Sequence, residues 1–249
     1  MFRLACVLLL GFVAGISGRN VVRIVGGVNA NHDQGRYQVS LRTLMNQHFC
    51  GGAILTQRWL VTAGHCTLGR KSGEFQAAVG ALTAHEGVTH VVTNYIRHPS
   101  FDAMTLSDDI ALLEIQTAIV FNERVQPVVI SGRSVPANVE TVLTGWGQLH
   151  YPGSVSSNLQ ALTMVTMTNE ECLNNHRVDV HSPPIQGSNI CAIRENSGAC
   201  MGDSGSPLMI GNELVGIVSW GVPCARNFGD VFTRISMYQS WINQNIQLK

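Results

Sequence analysis

Apolar Tyr37, Val39 and Leu41 alternate with polar Arg36, Gln38, Ser40 and Arg42, the period-two pattern of a β-strand with one buried face. Leu214 to Trp220 and Ile110 to Ile115 are almost continuously apolar and bounded by polar residues or glycine, which predicts short strands buried on both sides; Trp59 to Val61 is a third apolar strand. Only the C-terminal stretch carries helical spacing. There Ile235, Tyr238, Trp241, Ile242 and Ile246 form an amphipathic stripe that would pack on the body of the protein. Between Val125 and Asn138 the pattern is interrupted by Pro127, Gly132 and Pro136, which puts a junction near residue 130 between halves of similar size, 24–130 and 131–249. The expected class is all-β with a terminal α-helix.

Composition narrows this picture. Of 249 residues 45% are hydrophobic, 13% are charged and 25 are glycine, which suits short strands joined by tight turns. The 16 basic residues balance the 16 acidic ones without a block of one sign, which argues against nucleic-acid or membrane partners. Residues 1–18 carry Arg3, an apolar run from Leu4 to Ile16, then Ser17 and Gly18, the pattern of a secretory signal peptide; the run is shorter than the ~20 residues of a spanning helix. A secreted, extracellular protein is expected. Removing the signal removes Cys6 and turns seven cysteines into six: Cys50, Cys66, Cys172, Cys191, Cys200 and Cys224. Three disulfides follow in an oxidising compartment, with the pairing left open. No Cys-x-x-Cys spacing favours a zinc knuckle.

Candidate chemistry starts at Ser204, in Gly202-Asp203-Ser204-Gly205-Ser206-Pro207, where small residues surround one hydroxyl and leave backbone N–H groups free to approach a substrate. An α/β-hydrolase needs its histidine after the nucleophile, whereas all nine histidines here precede Ser204, and Ser206 breaks the Gly-x-Ser-x-Gly elbow. The best general base is His65, directly after an apolar strand and beside Cys66. His85 and His90 flank Glu86 but stand five apart in a segment that does not favour a helix, so a zinc-protease helix is not supported. Asp108 and Asp109 precede the buried run Ile110-Ala111-Leu112-Leu113, and an acid there needs a partner such as a histidine ring.

Seven segments together resemble the chymotrypsin/trypsin family of serine proteases, in family order and at family spacing from Ile24 to the end of the chain. They are Ile24-Val25-Gly26-Gly27, Cys50-Gly51-Gly52, the His65 motif, Asp109-Ile110-Ala111-Leu112-Leu113, Gly145-Trp146-Gly147, the Ser204 motif and Ser219-Trp220-Gly221. The resemblance implies two packed antiparallel Greek-key β-barrels with the site between them. It implies that His65 takes the proton of Ser204 and that Asp109 orients the ring, with the N–H groups of Gly202 and Ser204 as oxyanion hole. It also implies the pairs Cys50–Cys66, Cys172–Cys191 and Cys200–Cys224, and an edge at Ser219 to Gly221 that aligns the substrate backbone as an added strand. A precursor is implied as well: residues 19–23 form an activation peptide, a trypsin-like protease cuts after Arg23, and the new amino group of Ile24 inserts beside Asp203.

The specificity pocket departs from the two best-known patterns, because Gly198 falls where trypsins place aspartate and chymotrypsins serine. Gly221 keeps the mouth open and Asp230 stands on the wall, which resembles brachyurins and insect gut chymotrypsins. Large apolar or aromatic residues are expected at P1, the residue before the cut bond, with Lys and Arg as secondary choices because a buried Asp230 is poorly compensated. A non-catalytic homologue acting as a binding protein is the main rival, and it usually lacks a triad residue. Gly64 and Ser206 are further departures, from Ala and Gly; Ser lacks the conformational freedom of Gly. Glu86 is the only acid from Gly80 to Thr89, so no calcium site is supported, and no Asn-x-Ser/Thr acceptor occurs. No metal or cofactor is expected. Partners would be protein or peptide substrates, the activating protease and protein inhibitors; a monomer and a gut-lumen setting fit this reading.

Overall fold

The computed structural model describes residues 25–177, 182–222 and 224–246; the signal segment, residues 19–23 and Ile24 lie outside them. Its strands in chain order are β1 (Val28–Asn29), β2 (Gln38–Thr43), β3 (His48–Ile54), β4 (Trp59–Thr62), β5 (Phe75–Val79), β6 (Val88–Arg97), β7 (Ala111–Ile115), β8 (Val129–Ile130), β9 (Glu140–Gly145), β10 (Gln160–Met167), β11 (Asn189–Ile193), β12 (Pro207–Ile210), β13 (Glu213–Trp220) and β14 (Asp230–Arg234). Three short α-helices accompany them: α1 (His32–Gly35), α2 (Asn169–His176) and α3 (Gln239–Ile246).

The strands close into two antiparallel barrels of six strands each. The first runs β2-β3-β4-β7-β6-β5, and the second closes β9-β10-β11-β14-β13-β12, with β9 joining both β10 and β12. The connection order is the same in both: the sixth strand of each barrel lies beside the third. Closure pairs every barrel strand on both sides, and the two-residue β1 and β8 lie outside the barrels with one partner each. Each barrel is filled by side chains fully removed from water, among them Val39, Leu60, Phe75 and Leu112 in the first, and Leu143, Leu208 and Phe232 in the second. Each such side chain contributes about 1.5–3 kcal/mol.

The ends of the chain cross over. β1 pairs with β10 of the second barrel, whereas α3 inserts Ile242, with Tyr238 just before it, into the core of the first. The helical stripe begins one turn later than its spacing predicts. Ile235–Met237 form a 3₁₀ turn in which the Tyr238 N–H donates to the Ile235 carbonyl over 2.9 Å, and α3 starts at Gln239. Periodicity does not foretell α2. It opens on a capping box in which Thr168 and Glu171 satisfy each other's backbone N–H groups.

The alternation along β2 predicts one wet face, and the structure corrects this: Gln38, Ser40 and Arg42 are buried as deeply as Val39 and Leu41. At Gln38 this face meets the second barrel. Thr144 Oγ1 donates to Gln38 Oε1 over 2.7 Å, and Ser40 Oγ lies 2.8 Å from His48 Nδ1 while accepting from Arg42 Nε at 2.9 Å. Polar residues line the seam because each finds a partner there.

Candidate active site

His65 sits in a 3₁₀ turn (Gly64–Thr67) after β4, and Asp109 stands directly before the β7 region; both belong to the first barrel. The structure brings them together. His65 Nδ1 is 2.8 Å from Asp109 Oδ2, and the His65 backbone N–H donates to Oδ1 over 2.8 Å. Asp109 is further held from the second barrel, by Ser219 Oγ donating to Oδ2 over 2.6 Å and by Thr233 Oγ1 donating to its carbonyl over 2.7 Å. The carboxylate is fully buried while the His65 side chain keeps 23% of its exposure, so the ring is tied to the acid through Nδ1 and still partly reaches solvent. Nothing in the local pattern marks Ser219 as a partner of Asp109. Gly64, where a methyl group would come within 3.1 Å of the Phe101 ring, lets that ring pack close to Asp109.

Ser204 comes from the loop before β12 in the second barrel, and its backbone is clamped by both barrels. The Gly51 N–H of β3 donates to the Ser204 carbonyl over 2.7 Å, and the Gly205 N–H donates to the Val218 carbonyl over 2.8 Å. Cys66 Sγ, paired with Cys50, lies 3.6 Å from the same Ser204 oxygen and 3.9 Å from His65 Nε2, so Ser204 adjoins the histidine turn. Gly205 has φ +79°, and a Cβ there would strike Thr62 Oγ1 and the Gly51 carbonyl. Ser206 takes no left-handed backbone, so its departure from glycine is unstrained; its hydroxyl fills the space that Gly51 leaves empty. Among the described residues the N–H groups of Asp203, Gly205 and Ser206 are spent on internal hydrogen bonds, and those of Gly202 and Ser204 are not.

Two acids lie buried beside this loop. Asp203 accepts from the Gly147 N–H at 2.8 Å and the Cys200 N–H at 3.0 Å, yet burial raises its pKa to about 6. Asp230, on β14, accepts from the Ala199 N–H at 2.7 Å, and burial with the neighbouring Asp203 charge raises it to about 7. Its carboxyl covers Gly198 and Gly221: a Cβ on either would meet an Asp230 oxygen at 2.7 or 3.0 Å. Ser204 and Asp230 line one cavity of about 210 Å³ whose walls include Met201, Val218, Ser219, Trp220 and Gly221. Gly198 also pairs with Val25, the first described residue.

His48, which sequence reasoning passed over, reaches the same loop. Its Nε2 is 3.0 Å from the Gly202 carbonyl, and burial pushes its pKa down to about 4. A neutral ring donating to Gly202 must accept at Nδ1, and Ser40 supplies that proton. The disulfides join Cys50 to Cys66, Cys172 to Cys191 and Cys200 to Cys224. Cys50, His65 and Cys66 bring potential metal ligands within 4.8 Å of one another, but both sulfurs are committed to the disulfide and offer no thiolate.

The chain matches the Trypsin family over residues 24–242. It is 34% identical over 232 residues to Trypsin 5G1 of Aedes aegypti, covering 91% of this chain and 86% of that protein. It is 34% identical to Chymotrypsin-2 of Vespa crabro, over 89% of this chain and 99% of the other, and 34% identical to Hypodermin-B of Hypoderma lineatum, over 90% and 87%. The protein therefore belongs to the trypsin family of serine proteases, and it is a serine endopeptidase. Among the described residues no helix is long and apolar enough to cross a membrane.

Proposed function

We propose that Ser204, His65 and Asp109 form the catalytic triad of a secreted endopeptidase made as a zymogen. The single observation that carries this is the His65 ring, fixed through Nδ1 on a buried carboxylate, with Nε2 3.9 Å from the Cys66 sulfur that itself lies 3.6 Å from the Ser204 carbonyl oxygen. A ring held in that way carries its proton on Nδ1 and accepts at Nε2, which is what a general base for a serine hydroxyl requires. Ser204 attacks the scissile carbonyl, Nε2 takes its proton and passes it to the leaving amine, and water later releases the acyl group. The unspent N–H groups of Gly202 and Ser204 support their role as oxyanion donors, each worth ~3 kcal/mol in such sites.

Activation is proposed to follow cleavage after Arg23 by a trypsin-like protease. The buried, raised Asp203, with no cation paired to it among the described residues, and the pairing of Val25 with Gly198 favour a new Ile24 ammonium as its partner. At P1 we propose large apolar or aromatic residues, with Lys and Arg secondary. The walls of the cavity are mostly apolar, and Asp230 is close to half-protonated at neutral pH. A monomer secreted to an extracellular space such as a gut lumen, open to protein inhibitors, fits this reading.

The test uses recombinant precursor, activated with trypsin that is then removed, assayed on peptides that differ only at P1 beside the Ser204→Ala variant. Cutting after Phe, Tyr or Leu that vanishes in the variant is expected. Activity that survives Ser204→Ala would overturn the triad, and no activity despite a new Ile24 terminus would favour the binding homologue.

A further inference from the structure

Each of the three residues that bring the chain to Asp109 is held by a side chain from far along the sequence. Gln186 Nε2 donates to Ser107 Oγ over 2.7 Å, Tyr238 Oη donates to Asp108 Oδ1 over 2.8 Å, and Thr233 Oγ1 donates to the Asp109 carbonyl over 2.7 Å. The segment needs such holds. Leu106 has φ +50° and Asp108 φ +49°, so two residues that carry side chains take left-handed backbone directly before the acid. Side chains disfavour that conformation, and it persists where surrounding contacts fix it.

The hold on Asp108 is a firm one. The Tyr238 ring is buried in the core of the first barrel, and the His98 ring stands edge to face against it at 5.2 Å. His98 Nδ1 lies 3.9 Å from Asp108 Oδ1 but accepts from the Ser100 N–H at 3.3 Å, so the neutral ring offers that carboxylate no proton. Burial first, and then the Asp108 carboxylate, push the Tyr238 phenol well above its ordinary pKa, which keeps it an O–H donor. The way from there to the reaction is short. Asp108 and Asp109 share one peptide bond, with Cα atoms about 3.8 Å apart, and Asp109 Oδ2 is 2.8 Å from His65 Nδ1.

Resting on the triad reading above, we infer that Tyr238 is a positioning residue for the reaction: through Asp108 its hydroxyl fixes the left-handed turn that delivers Asp109 to His65. No proton moves along this path, and neither Tyr238 nor Asp108 lines the Ser204 cavity. Loss of the hydroxyl therefore acts on kcat and leaves KM as it was. Other holds on the segment remain, so the fall in kcat is about three- to tenfold, the scale of one hydrogen bond and well short of a freely misplaced group. The Asp108 side chain is 28% exposed, so without its donor it is a hydrated carboxylate and the fold survives.

The experiment measures kcat and KM on one peptide substrate for the activated wild type, Tyr238→Phe, Asp108→Ala, Asp108→Asn and the double variant Tyr238→Phe with Asp108→Ala. Active sites are counted by titration with a phosphonate that labels Ser204, so any loss of folded protein cancels. Tyr238→Phe and Asp108→Ala should each lower kcat with KM unchanged, and the double variant should fall no further than the weaker single, as expected of two groups acting through one contact. Asp108→Asn should keep the wild-type kcat, because asparagine tolerates left-handed backbone and its amide oxygen accepts the same hydrogen bond. A Tyr238→Phe enzyme with a lower melting temperature but an unchanged kcat per titrated site would assign the hydroxyl to stability alone and overturn this inference, as would losses that simply multiply in the double variant. Neither result touches the triad. If the activated wild type cuts no peptide, the triad reading falls and takes this inference with it.

Discussion

Ser219 Oγ, on a strand of the second barrel, donates a 2.6 Å hydrogen bond to Asp109 Oδ2, on the first. The same oxygen faces His65 Nδ1, so the carboxylate that orients the ring is itself oriented across the barrel interface. Ser219→Ala removes one of three donors to this carboxylate and leaves both His65 contacts. The expected loss is about tenfold or less in kcat with little change in KM, by the ~1 kcal/mol scale of a single hydrogen bond. Asp109→Asn instead presents an amide to Nδ1 and favours the wrong tautomer. A fall of about 10⁴ in kcat is expected, the magnitude general to such triads. Steady-state kinetics on one peptide substrate decide both, and similar losses in the two variants would contradict this ordering.

Asp230 should make specificity depend on pH. Its pKa is raised to about 7, so its carboxyl is mostly neutral at pH 6 and mostly ionised at pH 8. The ratio of kcat/KM for P1 Arg over P1 Phe is expected to climb through this window. In Asp230→Ala the ratio should stay flat and low, whereas a wild-type ratio indifferent to pH would show that Asp230 does not meet the substrate.

Stability toward acid should depend on His48. An unfolded histidine takes up its proton near pH 6.5, but the folded site resists until about pH 4. Between these values the unfolded chain binds more protons, so this contribution is intact above pH 6.5 and is lost as pH falls toward 4. At full extent it is of order 3 kcal/mol. The raised pKa values of Asp203 and Asp230 act in the opposite sense, since the native acids hold protons that the unfolded chain has released. Denaturant melts of the wild type and His48→Phe over pH 4–7 isolate the histidine, and the variant should show the shallower loss toward acid.

Gly51 and Ser206 should be coupled. A Cβ at Gly51 would overlap Ser206 Oγ and come within 2.9 Å of the Ser206 Cα. Gly51→Ala is expected to destabilise by about 2–3 kcal/mol, the usual scale of an overpacked core. Ser206→Gly alone should change stability by less than about 1 kcal/mol, since its hydroxyl is 3.4 Å from Gln38 Nε2 in a weak contact. Combined, the two changes should cost less than their sum, and simple additivity in thermal melts would refute the coupling.

The sequence by itself determined the elements whose signals are local. Uninterrupted apolar runs marked β4, β7 and β13, a helical stripe marked the end of the chain, and the spacing of short motifs carried the resemblance to a two-barrel protease. Only the tertiary structure decided which polar positions are wet. Gln38, Ser40 and Arg42 alternate like a solvated face, yet all three are buried, Gln38 against Thr144 of the second barrel and Ser40 and Arg42 on each other, His48 and Asn46, because a buried polar group is stable wherever a partner satisfies it. Ser219 meets Asp109, His48 meets Gly202, and the Asp230 carboxyl covers Gly198, across separations of 110, 154 and about 30 residues. No periodicity links such pairs, since period reports the burial of one segment and says nothing of what lies opposite it. The Arg70 cation on the Phe49 ring has the same origin: nothing in the sequence links Arg70 to Phe49, and only the folded chain sets one on the other.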